Sequence, residues 1–385
     1  MAYPTAIGCG CLLGAGGASP LHAAEYSMQP TFSWMTDYDS DRVLSYQEVG
    51  GSEQALLNAD LRLQRSTDDL QLMLDPHFDV RRYSDSRWGP GNDRSLAASL
   101  TWLNDRTQVS LTGSIAEQST LTTELLETGI IDADGRRTTS LASGEVDYSL
   151  TATRSLFTQL NYMGTRYSAG SLLLDLELPG YRYASGSAGE RFILSDHFTF
   201  SASLFGDTLI SAIPQNASHE AGGQVELKYS HSEYTTFDLQ VGESRRELGG
   251  VPGSGTNVLA LIQRNLELGS ISLDYTRSLV PYGTGVLAQR QQVTAILNRP
   301  LTSYLTSDIT LSRIQNNKST VRLGLDRPYY ENAVAGLNWQ LGESWSLRSE
   351  ISWSWSEPIL DAVTVHEWRT ALTMTWKPLP SSISR

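Results

Sequence analysis

Past residue 24 the sequence has no cysteine, because its only two, Cys9 and Cys11, lie in the first stretch of the chain. The remainder therefore holds no disulfide framework, thiolate zinc site or thiol nucleophile, a composition suited to a chain that meets an oxidising compartment unfolded. Long apolar runs are also missing: a membrane helix needs about 20 consecutive apolar residues, and nothing after residue 24 approaches that length. Positive charge is scarce, with 29 Lys and Arg against 42 Asp and Glu and a net charge of -13, which makes nucleic acid an unsuitable partner. Yet 40% of the 385 residues are hydrophobic, at a mean hydropathy of -0.26. The apolar content must be distributed along the chain.

Residues 1–24 differ from all that follow. They carry an apolar, Gly-rich stretch around Ala6 to Ala18, no charged residue, and small residues at Ala23 and Ala24. This pattern is expected of a secretory signal peptide. It departs from the usual one in lacking an early Lys or Arg and in placing Leu21 or His22 where a small residue is preferred.

From Ser27 onward, apolar and polar side chains alternate in segments of about ten residues, the period that sends one set to each face of a strand. In Ser344 to Ser354, Trp345, Leu347, Ile351 and Trp353 share one face, with Trp355 just beyond; Ser346, Arg348, Glu350 and Ser352 share the other. The same alternation recurs in Ala55 to Leu63, Leu70 to Val80, Leu96 to Trp102, Phe198 to Leu204, Phe237 to Val241 and Trp368 to Trp376, among others. It is weaker in Tyr181 to Leu194, Asn257 to Leu266 and Val286 to Leu297. The count is about 18 strands, with 16 as the alternative, and an even number suits a closed barrel. The fold expected is an all-β, closed, antiparallel transmembrane barrel over residues 25–376, with 377–385 as a C-terminal periplasmic tail.

Link lengths give a second test. Short links such as Ser66 to Asp69, Asn104 to Arg106 and Gly342 to Ser344 alternate with longer ones such as Glu117 to Ser140, Asp207 to Ser218, Arg245 to Thr256 and Val280 to Gly285. Bacterial barrels alternate short periplasmic turns with long external loops, so both termini are expected in the periplasm. Height gives a third test. Trp345 and Trp355 are ten residues apart on one face, about 25 Å of membrane normal, the separation of two aromatic girdles. Trp345, Trp353, Trp355, Trp368 and Trp376 are the membrane-interface candidates. A secreted sandwich or solenoid would also alternate, but neither domain breaks nor a fixed repeat is visible.

The last strand, His366 to Trp376, with Trp368, Leu372, Met374 and Trp376 on one face, resembles the C-terminal assembly signal of outer-membrane barrels, although nine residues follow it. The resemblance implies the barrel-assembly machinery as a partner during biogenesis. The loop S-T-L-T-T-E-L-L-E-T-G-I-I-D-A-D-G-R-R-T-T, from Ser119 to Thr139, resembles a group of uncharacterised proteobacterial outer-membrane β-barrel proteins. Some of that group are associated with exopolysaccharide or exosortase systems. The resemblance implies an outer-membrane location in a Gram-negative cell, with lipid and lipopolysaccharide as surroundings and polysaccharide as a conceivable cargo.

The polar partners of the apolar stripe are the pore-lining candidates: Asp60, Arg62, Asp75, His77, Asp79, Arg81, Glu145, Asp147, Glu226, Lys228, Asp238, Asp274, Asp308, Arg348, Glu350, Glu367 and Arg369. Acids outnumber bases by about two to one, which in an open lumen favours cations. The same residues would equally solvate an inner wall and pair across strands. Asp37, Asp39, Asp41 and Glu48 have the offsets of a calcium loop, but Arg42 stands where such a loop needs glycine. His77 between Asp75 and Asp79 is the one His and carboxylate cluster, and no serine accompanies it as a nucleophile; neither an enzyme nor a cofactor is expected. The function expected is a porin-like channel for small solutes. The alternatives are a barrel serving exopolysaccharide export and a structural or adhesive barrel without a pore.

Overall fold

Alternation at period 2 gives each segment one apolar and one polar face, and a strand so built is stable only where the apolar face meets lipid or a core. The computed structural model describes residues 24–41, 50–85, 91–120, 135–168, 179–282, 285–317, 329–357 and 364–384. The leader and parts of several loops, Glu48 among them, lie outside the described residues. The strands are β1 (Glu25–Asp39), β2 (Ser52–Ser66), β3 (Leu70–Tyr83), β4 (Asn92–Leu103), β5 (Thr107–Ser119) and β6 (Arg136–Thr151). There follow β7 (Arg154–Ser168), β8 (Tyr181–Ile193), β9 (Phe198–Ser211), β10 (Ser218–Ser232), β11 (Thr235–Leu248) and β12 (Val251–Leu266). The chain ends with β13 (Gly269–Tyr282), β14 (Val286–Pro300), β15 (Leu305–Asn317), β16 (Tyr329–Gln340), β17 (Trp345–Glu357), β18 (Val365–Trp376) and a short β19 (Ser381–Ser384).

From β1 to β18 each strand pairs antiparallel with the next, and β1 pairs with both β2 and β18, so the sheet closes on itself as an 18-strand barrel. Closure satisfies backbone groups inside the sheet, which lipid demands; β12 and β13 part at the loop end, where pairing stops at Val258 and Arg277. The apolar stripes face out: Leu204 is 74% exposed and Leu160 64%, an exposure that a water-soluble fold would not tolerate around its whole circumference. The strands begin and end at two distinct rims. One, the turn end, holds both chain ends and the short links; Glu25 pairs with Ser66 beside the turn Thr67–Asp69. The other is the loop end.

The seam closes through an interruption. Phe32 pairs with Trp376 and Met28 with Ser381, so four steps along β1 oppose five along the partner, and the extra residue sits in Lys377–Pro380. Pro378 and Pro380 lack the N–H a ladder needs, as does Pro30 opposite them, and a bulge is where strand prolines are accommodated. Gln29 Nε2 donates to Pro378 O at 3.0 Å across the gap. Within the stretch expected to trail as a tail, Ser381–Ser384 thus add a short strand to the wall.

Two of the expected long loops are tight turns. β11 and β12 run past the span expected for them and meet at Gly249 and Gly250, whose φ values of 58° and 82° permit a two-residue hairpin. β13 and β14 likewise extend to a short link ending at Gly285, φ 68°. Strands of 12 to 16 residues explain both differences: at roughly 3.3 Å per residue they outreach a band of about 25 Å and project beyond it.

Candidate functional site

The site of interest is the inner face, where the polar halves of the alternating strands converge. Register decides what meets what, because residues directly opposite on neighbouring strands have adjacent side chains.

Across β2 to β6 the charges form a climbing chain. Arg62 Nε donates to Asp75 Oδ1 at 3.0 Å. His77 lies between two acids, with Nδ1 2.5 Å from Asp60 and Nε2 3.0 Å from Asp79. Both ring nitrogens are therefore engaged, and the imidazole serves as a cross-link between strands. Arg81 continues the chain, donating to Asp79 at 3.2 Å and to Asp93 at 2.8 Å. Asp93 is buried and also accepts from Arg136 Nη1 at 3.2 Å and from the Ser119 N–H at 2.8 Å. Asp93 and Arg136 were not foreseen from sequence, since only register brings them to Arg81.

On β15 to β17 Arg348 makes a two-pronged pair with Asp308, at 2.6 and 2.9 Å, and donates to Glu350 at 3.0 Å. Gly336 lies opposite both Asp308 and Glu350. A methyl group at Gly336 would stand 2.5 Å from Arg348 Nη2 and 2.8 Å from Asp308 Oδ1, so glycine opens the space that the ion pair fills. At the seam, Arg369 Nη2 donates to the buried Asp37 at 2.8 Å, and buried Glu367 lies on the same strand.

Asp37 and Asp39 lie in the extended strand β1. Asp39 accepts the Asp41 N–H at 3.1 Å, Glu48 lies outside the described residues, and no metal-holding cluster of acids, His or Cys occurs among the described residues.

From β6 to β11 Arg191 donates to Asp147 at 2.9 Å, and Lys228 sits 2.9 Å from Glu226 and 3.6 Å from Asp238. Asp274 has no basic partner among the described residues, and Glu145 stands beside Asp147 on the same face. The side chains of Arg62, Lys228 and Asp60 are 53%, 48% and 46% exposed. Ions this exposed on the inside of a closed ring require water around them.

Near the loop end the same half of the ring changes character. Tyr181, Leu209, Leu279 and Leu287 form a buried apolar cluster, joined by Met163, Tyr167, Tyr183 and Leu248. Leu209 is 0% exposed and Leu287 1%. These residues come from β7, β8, β9, β11, β13 and β14, and β9 touches β14 although four strands separate them around the ring. The β13–β14 hairpin reaches the rim of β8 and β9: a methyl at Gly285 would lie 2.5 Å from Ser211 Oγ and 3.0 Å from Pro179 Cγ. The mouth is drawn together on this side.

The interface tryptophans fall into two levels at the seam. Trp376 stacks with Phe32 at 5.8 Å and meets Trp345 at 6.4 Å toward the turn end. Trp368 meets Tyr38 at 5.1 Å, and Trp353 packs on His366 at 5.6 Å, toward the loop end. Trp355 is half-buried beyond them, and Trp34 and Trp339, which the sequence reading left out, are exposed on the same outer surface.

No protein-family model and no curated protein matches this chain. Solved structures do. Acinetobacter baumannii OccAB3 is similar at a TM-score of 0.50 and 7% identity, over 93% of this chain and 99% of that one. Pseudomonas aeruginosa OccK11 (OpdR) gives 0.49 and 13%, over 93% and 96%, and Pseudomonas aeruginosa OccK2 (OpdF) gives 0.49 and 11%, over 94% and 98%. The likeness to OccAB3 extends over nearly the whole of both chains and concerns the fold: an 18-strand antiparallel barrel.

Proposed function

We propose that this chain is an outer-membrane channel through which small hydrophilic solutes diffuse, with a mild preference for cations. One observation carries the reading: on the inner face of a closed, externally apolar ring, three ion pairs each keep one member, Arg62, Asp60 or Lys228, about half exposed, so the interior is wet. Barrels of 16 to 18 strands are wide enough to leave an aqueous lumen. Because the apolar cluster narrows the mouth on the β7–β14 side, the solute path follows the wall from β15 through β18 and β1 to β6. Asp274 adds negative charge without a basic partner among the described residues, and rings of carboxylates favour cations. The short-turn rim and both chain ends face the periplasm, as in barrels with short periplasmic turns.

The test is conductance of the refolded protein in a planar bilayer. Discrete current steps are expected, with a reversal potential in a salt gradient displaced toward the cation. A protein that inserts and gives no current overturns the reading.

A further inference from the structure

The outer surface of β7 and β8 carries two arginines with no carboxylate partner among the described residues. Arg166 shares its face with Leu156, Leu160 and Tyr162, all exposed toward lipid. Arg182 lies opposite Gly164 in the β7–β8 ladder, which makes Arg166 its diagonal neighbour. Both are exposed, and neither has an acidic partner among the described residues. At the other rim of the same strands the arrangement is complete, since Arg154 Nε donates to Glu190 at 2.8 Å and its guanidinium packs over Phe192 at 5.3 Å. Arg154 and Arg166 lie near the two ends of β7, about 30 Å apart along the membrane normal at the usual rise and tilt, so they bracket the apolar belt.

Gly164 forms the floor between the two arginines. A methyl group there would stand 3.0 Å from Tyr162 Oη, so the Tyr162 hydroxyl folds over the glycine toward the loop end. Two guanidiniums and a phenol hydroxyl thus surround an open patch at the level where the belt meets the headgroups. Guanidinium forks suit phosphate oxygens, and a tyrosine hydroxyl supplies a further donor. An arginine facing lipid without a protein partner is tolerated at that level because the headgroups neutralise it.

We infer that Arg166, Arg182 and Tyr162 form a binding site on the outer wall for the phosphate of an anionic lipid headgroup in the external leaflet, the chemistry that lipopolysaccharide presents. The inference rests on the membrane-spanning reading above and goes beyond it, because the site lies outside the lumen and takes no part in conduction.

The test measures binding of the refolded barrel, in neutral detergent, to the diphosphorylated lipid anchor of lipopolysaccharide and to the same anchor stripped of its phosphates. The intact protein should bind the phosphorylated form, and R166Q/R182Q should bind it roughly 30-fold more weakly, given the usual contribution of each cation at an anionic surface. R166K/R182K keeps the charge without the fork and should lose only several-fold. Folding is checked by heat-modifiable electrophoretic mobility, and the single variant R182Q serves if the double variant does not fold. Equal binding by the intact protein and R166Q/R182Q, or equal binding of the two lipid forms, overturns the proposal. Full displacement of the lipid by inorganic phosphate overturns the lipid as its occupant. Single-channel conductance of R166Q/R182Q should match that of the intact protein, so failure of this site and failure of the channel reading are told apart.

Discussion

The two halves of the barrel differ at the loop rim in the balance of ionic and apolar inner residues. From β15 around to β6, residues near that rim include ion pairs, Arg369 with Asp37 and both Arg81 and Arg136 with Asp93, beside a smaller apolar cluster of Ile314, Tyr330 and Val365. From β7 to β14, equivalent heights hold the larger cluster of Tyr181, Leu209, Leu279 and Leu287, with the buried acid Glu220 close beside it. An ion pair on a wall needs water or further polar groups beside it and so keeps the wall apart from its opposite; apolar side chains release water when two walls touch and so draw them together. The difference teaches that the mouth is narrowed where apolar inner positions are most numerous and two walls can meet through them.

Disrupting the larger apolar cluster should have the largest effect. Leu209→Ala combined with Leu287→Ala removes two fully buried side chains, at about 2–5 kcal/mol each if the site cannot collapse, and should raise single-channel conductance as the mouth widens. An unchanged conductance would mean that the apolar side does not limit flow. Asp93→Asn breaks the ion-paired side, leaving Arg81 and Arg136 facing each other without their shared acid; a loss of about 3 kcal/mol is expected in denaturant unfolding from vesicles. Gly336→Ala forces a methyl into the Asp308–Arg348 pair and should cost about 1–3 kcal/mol, with Gly336→Ser no better. The smallest effect belongs to Arg94→Gln, which removes an exposed outer pair, Arg94 to Glu117 at 2.6 Å; a change of no more than about 1 kcal/mol is expected.

Much of this architecture was legible in the sequence because period 2 is a local signal: the stripe through Trp345, Leu347, Ile351 and Trp353 needs no knowledge of neighbours to be read. Pairing is not local. Asp93 and Arg191 looked no different from other polar strand residues, and only the registers that bring Arg81 opposite Asp93's strand and Arg191 toward Asp147 make them partners. Asp37 and Asp39 suggested a metal loop because their spacing is also that of alternate strand positions, and Arg369, which pairs with Asp37, lies at the far end of the chain. The apolar cluster escaped notice for a different reason. Leu209, Tyr181 and Leu279 fall at or near the ends of strands that outrun the membrane, where the sequence pattern of a spanning segment has already faded. The β19 strand was hidden by Pro378 and Pro380, which argue against a strand unless a bulge takes them.

The account stands or falls on a wet lumen with a one-sided mouth, and single-channel recording in planar bilayers of the intact protein beside Leu209→Ala/Leu287→Ala tests it most directly. The account predicts cation-preferring steps from the intact protein and larger steps from the variant. Silent insertion of the intact protein, or steps of the same size from both, would contradict it.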